Sequence, residues 1–486
     1  MTATLTGDRP APVTSGPDRN RRWRPEPGMP ASVLVAALSS AFGVVLVSAT
    51  GYLAALLRAD PTIGESDTLA LILGFLGTVL LGLAVYVAAV VTANTFATVV
   101  AGRTRRIAQL RLLGATARAQ RARVARQGLV IGVAGAVLGL LAGVAIAAAG
   151  IAVAGSTLDR HPDYTVLRAS LLLPPAVVVL TTWAAAWVGS RRVLTVTPLQ
   201  ALGAAGEPAY GDVVRRPARH ATATVLLVLG GVLLAGGVLL GLQSPYGVVV
   251  AFVGGLLSFT GLVLGAALVM PPLLRLVGRL FGRSPAARLA AGNALRYPER
   301  SARMAIGMVI GVTLVTMLAV ATESVTARMA AAWDGPLPSE ITGPMDAFTA
   351  IMMGLVAVSA VIAAVGLINL LVLGVGQRRR ELGLLRTLGL TTGQVRRMVL
   401  LEATHLTLTA LLLGLLLGIG YGWAGAQALL GAVRLGPGAG GGLVPPAVPL
   451  GTIGVVVAAT AVLTLVAAAV SVRPAVRVSP IDALAG

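Results

Sequence analysis

The chain of 486 residues has no cysteine, no lysine, three histidines and few charges of any kind, with 12% Asp, Glu, Lys and Arg together. Soluble domains carry about twice that share of charge. With 56% hydrophobic residues and a mean hydropathy of +0.88, the chain reads as an all-α polytopic membrane protein. Without lysine the phosphate-cradling GxxxxGK[ST] loop cannot form, because that loop sets its lysine on the β- and γ-phosphates. The chain therefore reads as no ATPase and no enzyme. Without cysteine there are no disulfides, thiolate metal sites or thiol nucleophiles. His161, His220 and His405 fall outside, inside and within an apolar run, so they cannot meet around one metal.

What is abundant is apolar sequence in long runs. A spanning helix needs roughly 20 apolar residues. Ten runs meet that need, near 31–57, 69–101, 127–154, 169–190, 221–242, 246–273, 304–322, 347–376, 400–430 and 447–471. All 38 basic residues are Arg; 33 fall on the face that holds both chain ends, and only Arg58, Arg160, Arg168, Arg328 and Arg434 fall on the other. The positive-inside rule then places both termini in the cytoplasm. Nine acids on each face leave about +24 inside and −4 outside. Basic groups held at membrane boundaries are explained by topology and anionic lipid, so nucleic acid is not an expected partner; the bilayer is.

The chain is also internally repeated. RRIAQLRLLGAT at 105–116 and RELGLLRTLGLT at 380–391 share Arg105/Arg380, Leu110/Leu385, Arg111/Arg386, Leu113/Leu388, Gly114/Gly389 and Thr116/Thr391 without a gap. Asn94 and Asn369 keep the same spacing, Gln127 aligns with Glu402, and VTPLQAL at 196–202 matches VSPIDAL at 478–484. The expected division is a disordered basic tail over 1–29, a first four-span repeat over 30–202, and a Gly/Pro-rich linker over 203–220. A central span pair with its cytoplasmic segment, turning at Gln243–Tyr246, occupies 221–284, and a second repeat 285–486. This 4+2+4 order makes the copies parallel, related by a pseudo-two-fold axis along the membrane normal.

In each repeated segment apolar residues recur every three positions, Ile107, Leu110 and Leu113 in one and Leu382, Leu385 and Leu388 in the other, between flanking arginines. On a helix this is a narrow apolar stripe suited to a membrane surface or a protein groove. Gly114 or Gly389 then suits a helix stop at positive φ. Thr391 opens the next helix with Gln394 as a capping box, while Thr116 opens its counterpart without that partner. A helix, a tight corner and a second helix continuing into the membrane would pass a push at the tip into the spans.

Few polar groups lie within the runs. Asn94 and Asn369 are expected to join helices by hydrogen bonds. Glu402 is expected to pair with an arginine or face water, with His405 one turn away on the same face. Gly414, Gly418 and Gly422 at four-residue spacing are expected to be a close helix contact.

RRRELGLLRTLGLTTGQVRRMVLLEA at 378–403, preceded by the Asn369 run, resembles the signature of FtsX-like ABC transporter permease domains. ARLAAGNALRYPERSARMAIGMVIGV at 287–312 is similar to the basic, Pro-containing surface helix that leads into the first span of such domains, and VSPIDAL also fits. The resemblance implies a permease subunit in a bacterial cell membrane that holds no cofactor itself. ATP and Mg would be bound by two copies of a separate ABC ATPase, and an accessory protein outside the membrane is compatible with it. Glu381, Leu385, Arg386 and Gly389 would receive one ATPase, and Arg106, Leu110, Arg111 and Gly114 the other. Arg106 in place of Glu381, and Gln127 in place of Glu402, imply unequal docking. The external connections at 58–68 and 323–346 are short where family members that grip soluble partners carry a large domain, which points to a lipid, lipopeptide, drug or antimicrobial peptide taken from the bilayer. A force transmitter or sensor of the same family, and a proton-coupled carrier using Glu402 and His405, are the alternatives.

Overall fold

The computed structural model describes residues 29–59, 77–94, 116–158, 164–190, 217–281, 285–331, 387, 389–433 and 442–477, apart from positions 84, 88 and 297. The long elements are α1 (Met29–Arg58), α2 (Gly77–Asn94), α3 (Ala117–Leu158), α4 (Leu173–Gly189), α5 (Pro217–Leu240), α6 (Gly247–Leu264), α7 (Ala266–Gly278), α8 (Pro285–Arg296), α9 (Pro298–Ala331), α10 (Thr392–Leu430) and α11 (Leu450–Arg477). The protein is an all-α polytopic membrane protein, with eight helices long and apolar enough to cross a bilayer among the described residues. The apolar stretch of α11 is the last of the ten runs, and the run near 347–376 lies outside the described residues.

One expected span is corrected. The run near 246–273 is not a single helix: it breaks at Gly265 (φ −87, ψ 7) into α6 and α7, and α7 carries Pro271 and Pro272 in its interior. Each proline removes an N–H from the helical ladder and crowds the turn before it, so a bend is accommodated just upstream. The turn between α5 and α6 is where the sequence places it. Ser244 N–H donates to the Leu240 carbonyl at 2.9 Å and Gly247 N–H to the Ser244 carbonyl at 3.0 Å.

The repeat is visible as packing. Gly139 and Gly143 of α3 rest on Ala37–Val44 of α1, and Gly414 and Gly418 of α10, 275 residues on, rest on Val312–Thr316 of α9. In each pair a methyl group on the glycine would strike the facing backbone or side chain. Lipid tails are as apolar as leucine, so helices in a bilayer associate through close packing, and glycine permits the approach. The first helices correspond at an offset of 272. Thr50 donates to the Leu46 carbonyl at 2.7 Å and Thr322 to the Leu318 carbonyl at 2.8 Å, each hydroxyl satisfied within its own helix.

The fourth helices correspond at 282. Thr182 donates to the Val178 carbonyl and Thr464 to the Thr460 carbonyl. Gly132 packs on Thr182 in the first copy; at its counterpart in the second, Thr407 accepts a hydrogen bond from Thr464 at 3.1 Å. The copies meet through their first helices. Phe42 and Leu46 of α1 pack with Leu314 and Leu318 of α9, their own counterparts, together with Leu80 and Val87 of α2.

The central hairpin is held together by glycine, with Gly230 against Ser258, Gly237 against Ala251 and Gly261 against Leu227. It lies on α9 and α10 of the second copy and touches the first copy through α2, where the Tyr86 hydroxyl pairs with Thr260 Oγ1 at 2.8 Å and Gly82 faces Phe252. Phe259, Met270 and Leu274 pack against Ile306, Val309 and Leu413, and Gly241 meets Ala428.

Candidate functional site

The described part of the second corner is a stop followed by a start. Gly389 has φ +97, a left-handed conformation that costs any residue with a Cβ. Thr391 is extended (φ −70, ψ 155) and caps α10: its hydroxyl accepts from Gln394 N–H at 3.3 Å, while Thr391 N–H donates to Gln394 Oε1 at 2.9 Å. This capping box satisfies two backbone donors and fixes the angle at which α10 begins. Its counterpart opens α3 with the first half alone, Thr116 Oγ1 accepting from Ala119 N–H at 3.2 Å.

From each corner the helix runs without a break. At 1.5 Å per residue, the 39 residues of α10 and the 42 of α3 each extend about 60 Å. The hydrocarbon core is about 30 Å thick, so each helix is about twice as long as a crossing needs. Arg118, Arg123 and Arg126 on α3, and Arg396 and Arg397 on α10, precede the apolar stretch of each helix, and these arginines are exposed. Each of α3 and α10 is an uninterrupted helix that joins its N-terminal arm to the apolar stretch.

The arms are anchored differently. Arg121 stacks its guanidinium over the ring of Trp187 on α4, 4.1 Å from the centroid, a cation–π contact. At the corresponding places the second copy has Arg396 and Ala469. The second copy is instead tied down inside the membrane. His405 of α10 is 1% exposed, and its Nε2 lies 2.7 Å from the carbonyl oxygen of Leu274 on α7.

The outer ends are pinned as well. Trp423 Nε1 donates to the Val444 carbonyl at 2.8 Å, the Gln427 side chain bonds to the backbone of Gly442 and Val444, and Ser324 Oγ accepts from Ala447 N–H. In the first copy Tyr164 donates to the Ser48 carbonyl at 3.0 Å, stacks edge-on against Tyr52, and carries Arg168 over its ring.

The family pattern described as FtsX-like permease C-terminal matches residues 78–198 and 353–480, together half of the chain, one stretch around each corner. The chain belongs to the FtsX-like permease family. Over 98 residues this permease is 36% identical to a Bacillus subtilis (strain 168) protein named as the uncharacterized ABC transporter permease YknZ. The aligned stretch is 19% of this chain and spans only 23% of that protein's length.

Of the residues singled out for the FtsX-like corners, Gly389 is described and adopts the positive φ expected of it. Arg106, Leu110, Arg111, Gly114, Glu381, Leu385 and Arg386 lie outside the described residues, as does Asn369. Asn94 closes α2 and is half-buried; Glu402 is half-buried one turn before His405. Gly414, Gly418 and Gly422 form the expected close contact with α9.

Sequence reasoning missed three features. The first-copy glycines at 139 and 143 were legible from the same repeat spacing as Gly414 and Gly418. Arg121 and Trp187 carry no local signal, because 66 residues separate them. Gln427 gives only the hint of a polar residue near the end of an apolar run.

Proposed function

We propose that this FtsX-like protein is the membrane subunit of an ABC transporter, driven by separate ATPase subunits that dock at the two cytoplasmic corners. The observation that carries the reading is the family match around both corners, each corner leading into an unbroken helix twice the length needed to cross the bilayer. The relative named as an ABC transporter permease supports it. Leu385, Arg386, Glu381 and Gly389 form one docking surface, and Leu110, Arg111, Arg106 and Gly114 the other. One chain supplies both corners, so the complex holds one permease chain and two ATPase chains, in a bacterial cell membrane with both termini cytoplasmic. ATP and Mg belong to the ATPases.

The units of the permease are 30–202, 203–220, 221–284 and 285–486. Its cargo is hydrophobic and taken from the bilayer, since the external connections are too short to hold a soluble protein. The two ATPases dock unequally. Arg106 faces one and Glu381 the other, and only the first arm has the Arg121–Trp187 contact.

The test is co-purification with the ABC ATPase encoded beside this chain, comparing the unaltered protein with the double variant Arg111→Glu, Arg386→Glu. A one-to-two complex with ATP turnover, lost in the double variant, is the expected result. Two copies of this chain in the complex, or binding indifferent to both corners, overturns the reading.

A further inference from the structure

On the second copy the groove between α9 and α10 is filled by α6 and α7, and Ile306 and Leu413 on its walls are 2% and 8% exposed. The offsets set by the shared contacts, 272 for α1 and α9 and 275 for α3 and α10, locate the same groove on the first copy. Ile306, Val309 and Ile310 correspond to Leu34, Ala37 and Leu38 of α1; Leu413, Leu417 and Tyr421 correspond to Leu138, Ala142 and Ile146 of α3. Those six first-copy residues line one open, apolar groove of about 690 Å³. Leu34 is 49% and Leu138 53% exposed. Farther along α3, Val153 is 62% exposed where its counterpart Ala428 is fully buried under the hairpin.

One duplicated surface is thus covered by helices on one side and open on the other. Among the described residues, the side chains lining the open groove carry no charge and no hydrogen-bonding group, so whatever fills it is apolar where it meets them. In a bilayer, selective association of helices comes from shape, through close van der Waals packing. The second copy shows which shape this surface fits: helices presenting Phe, Met and Leu. Two copies of this chain meeting groove to groove would set concave against concave and fill neither.

We propose that the α1–α3 groove of the first copy is the docking site of an apolar transmembrane helix from a different polypeptide, standing where α6 and α7 stand on the second copy. The occupant needs no charge within the bilayer, and large aliphatic or aromatic residues on the face turned toward Leu34 and Leu138. None of the groove residues belongs to the repeated corner motifs at 105–116 and 380–391.

A photoreactive residue placed at Leu34, Leu138 or Ile146 of the full chain, in its host's membranes, tests this. Val232 and Leu239 on the exposed face of α5, 64% and 63% exposed, are the controls. The groove positions give an adduct with a second polypeptide, mapped to an apolar spanning segment, and the controls give lipid adducts alone. Filling the groove with Ala142→Trp lowers the protein adduct about tenfold, as overpacking of a fitted contact requires. Leu34→Trp, at a half-exposed position, makes the same test if the first variant fails to accumulate. Lipid adducts alone at the groove positions, adducts between two copies of this chain, or a protein adduct that neither tryptophan reduces overturns the proposal.

Discussion

Helix α3 of the first copy and α10 of the second each follow a copy of the same sequence motif and use equivalent pairs of glycines to reach the helix beside them. Yet α3 turns Val130 outward, 43% exposed, where α10 buries His405 against the carbonyl of Leu274. The inner faces of the copies are alike because a glycine contact leaves no freedom: both backbones are already at touching distance. The outer faces are unlike because a lipid-facing position tolerates any apolar residue. A new helix pair could settle on one copy by changing residues there alone. The comparison also separates scaffold from specialisation, since what both copies share holds the bundle together and what one copy has alone marks its own attachments.

The largest effect is expected at the shared contact. Gly139→Leu and Gly418→Leu each drive a side chain into facing backbone and are expected to destabilise the chain by about 3 kcal/mol or more. Gly231→Leu, which meets nothing within 4 Å, changes little. Melting temperatures of the detergent-solubilised chain measure all three. If Gly139→Leu were tolerated and Gly418→Leu were not, the two seams would not be equivalent.

His405→Ala comes next. Removing the side chain leaves the Leu274 carbonyl of the broken α6–α7 segment without this partner, a loss of about 1–2 kcal/mol for a hydrogen bond between membrane helices. Val130→Ala, its counterpart, is expected to fall within about 0.5 kcal/mol of the unaltered chain. Proteolysis between α5 and α6, read by fragment release, follows loosening of the hairpin in the first variant alone. Should ATP-driven activity of the His405→Ala chain collapse while hairpin stability is unchanged, the histidine would act in transport and not as an anchor.

Gly389→Ala forces a Cβ into a left-handed conformation at a cost of about 1 kcal/mol, and Gly114→Ala is expected to match it. Unequal losses of stability would mean corners of different shape. The smallest effect sharpens the same comparison at the caps. Gln394→Ala breaks the box over α10 and costs about 0.5–1 kcal/mol. Ala119→Gln completes the box over α3 and gains a fraction of that, both read as shifts in melting temperature.

Much of the corner was legible in the residues. The Gly389 stop and the Thr391–Gln394 box depend on groups within a few positions of each other, so local spacing announces them. Gly414, Gly418 and Gly422 were legible too, because one helix face needs only a four-residue period. The break at Gly265 was not, although Pro271 and Pro272 stand in plain view. Proline is common in membrane helices, and only the neighbours that take up the freed backbone groups decide whether the helix bends or ends.

Composition, charge distribution and the repeated motif were enough to establish a multi-pass, helical, duplicated membrane protein of the FtsX-like family. Transfer of a run into lipid, the bias of arginine and the capping of a helix are energies of short segments, summed along the chain. Which copy the central hairpin covers could not be read that way. Both outer faces are apolar and both would dissolve equally well in lipid. The choice rests on complementary shape between α6–α7 and the α9–α10 groove, together with the contact between His405 and Leu274, and those contacts join residues on separate helices, 131 positions apart for His405 and Leu274. The open groove on the first copy follows from that choice and is visible only in three dimensions.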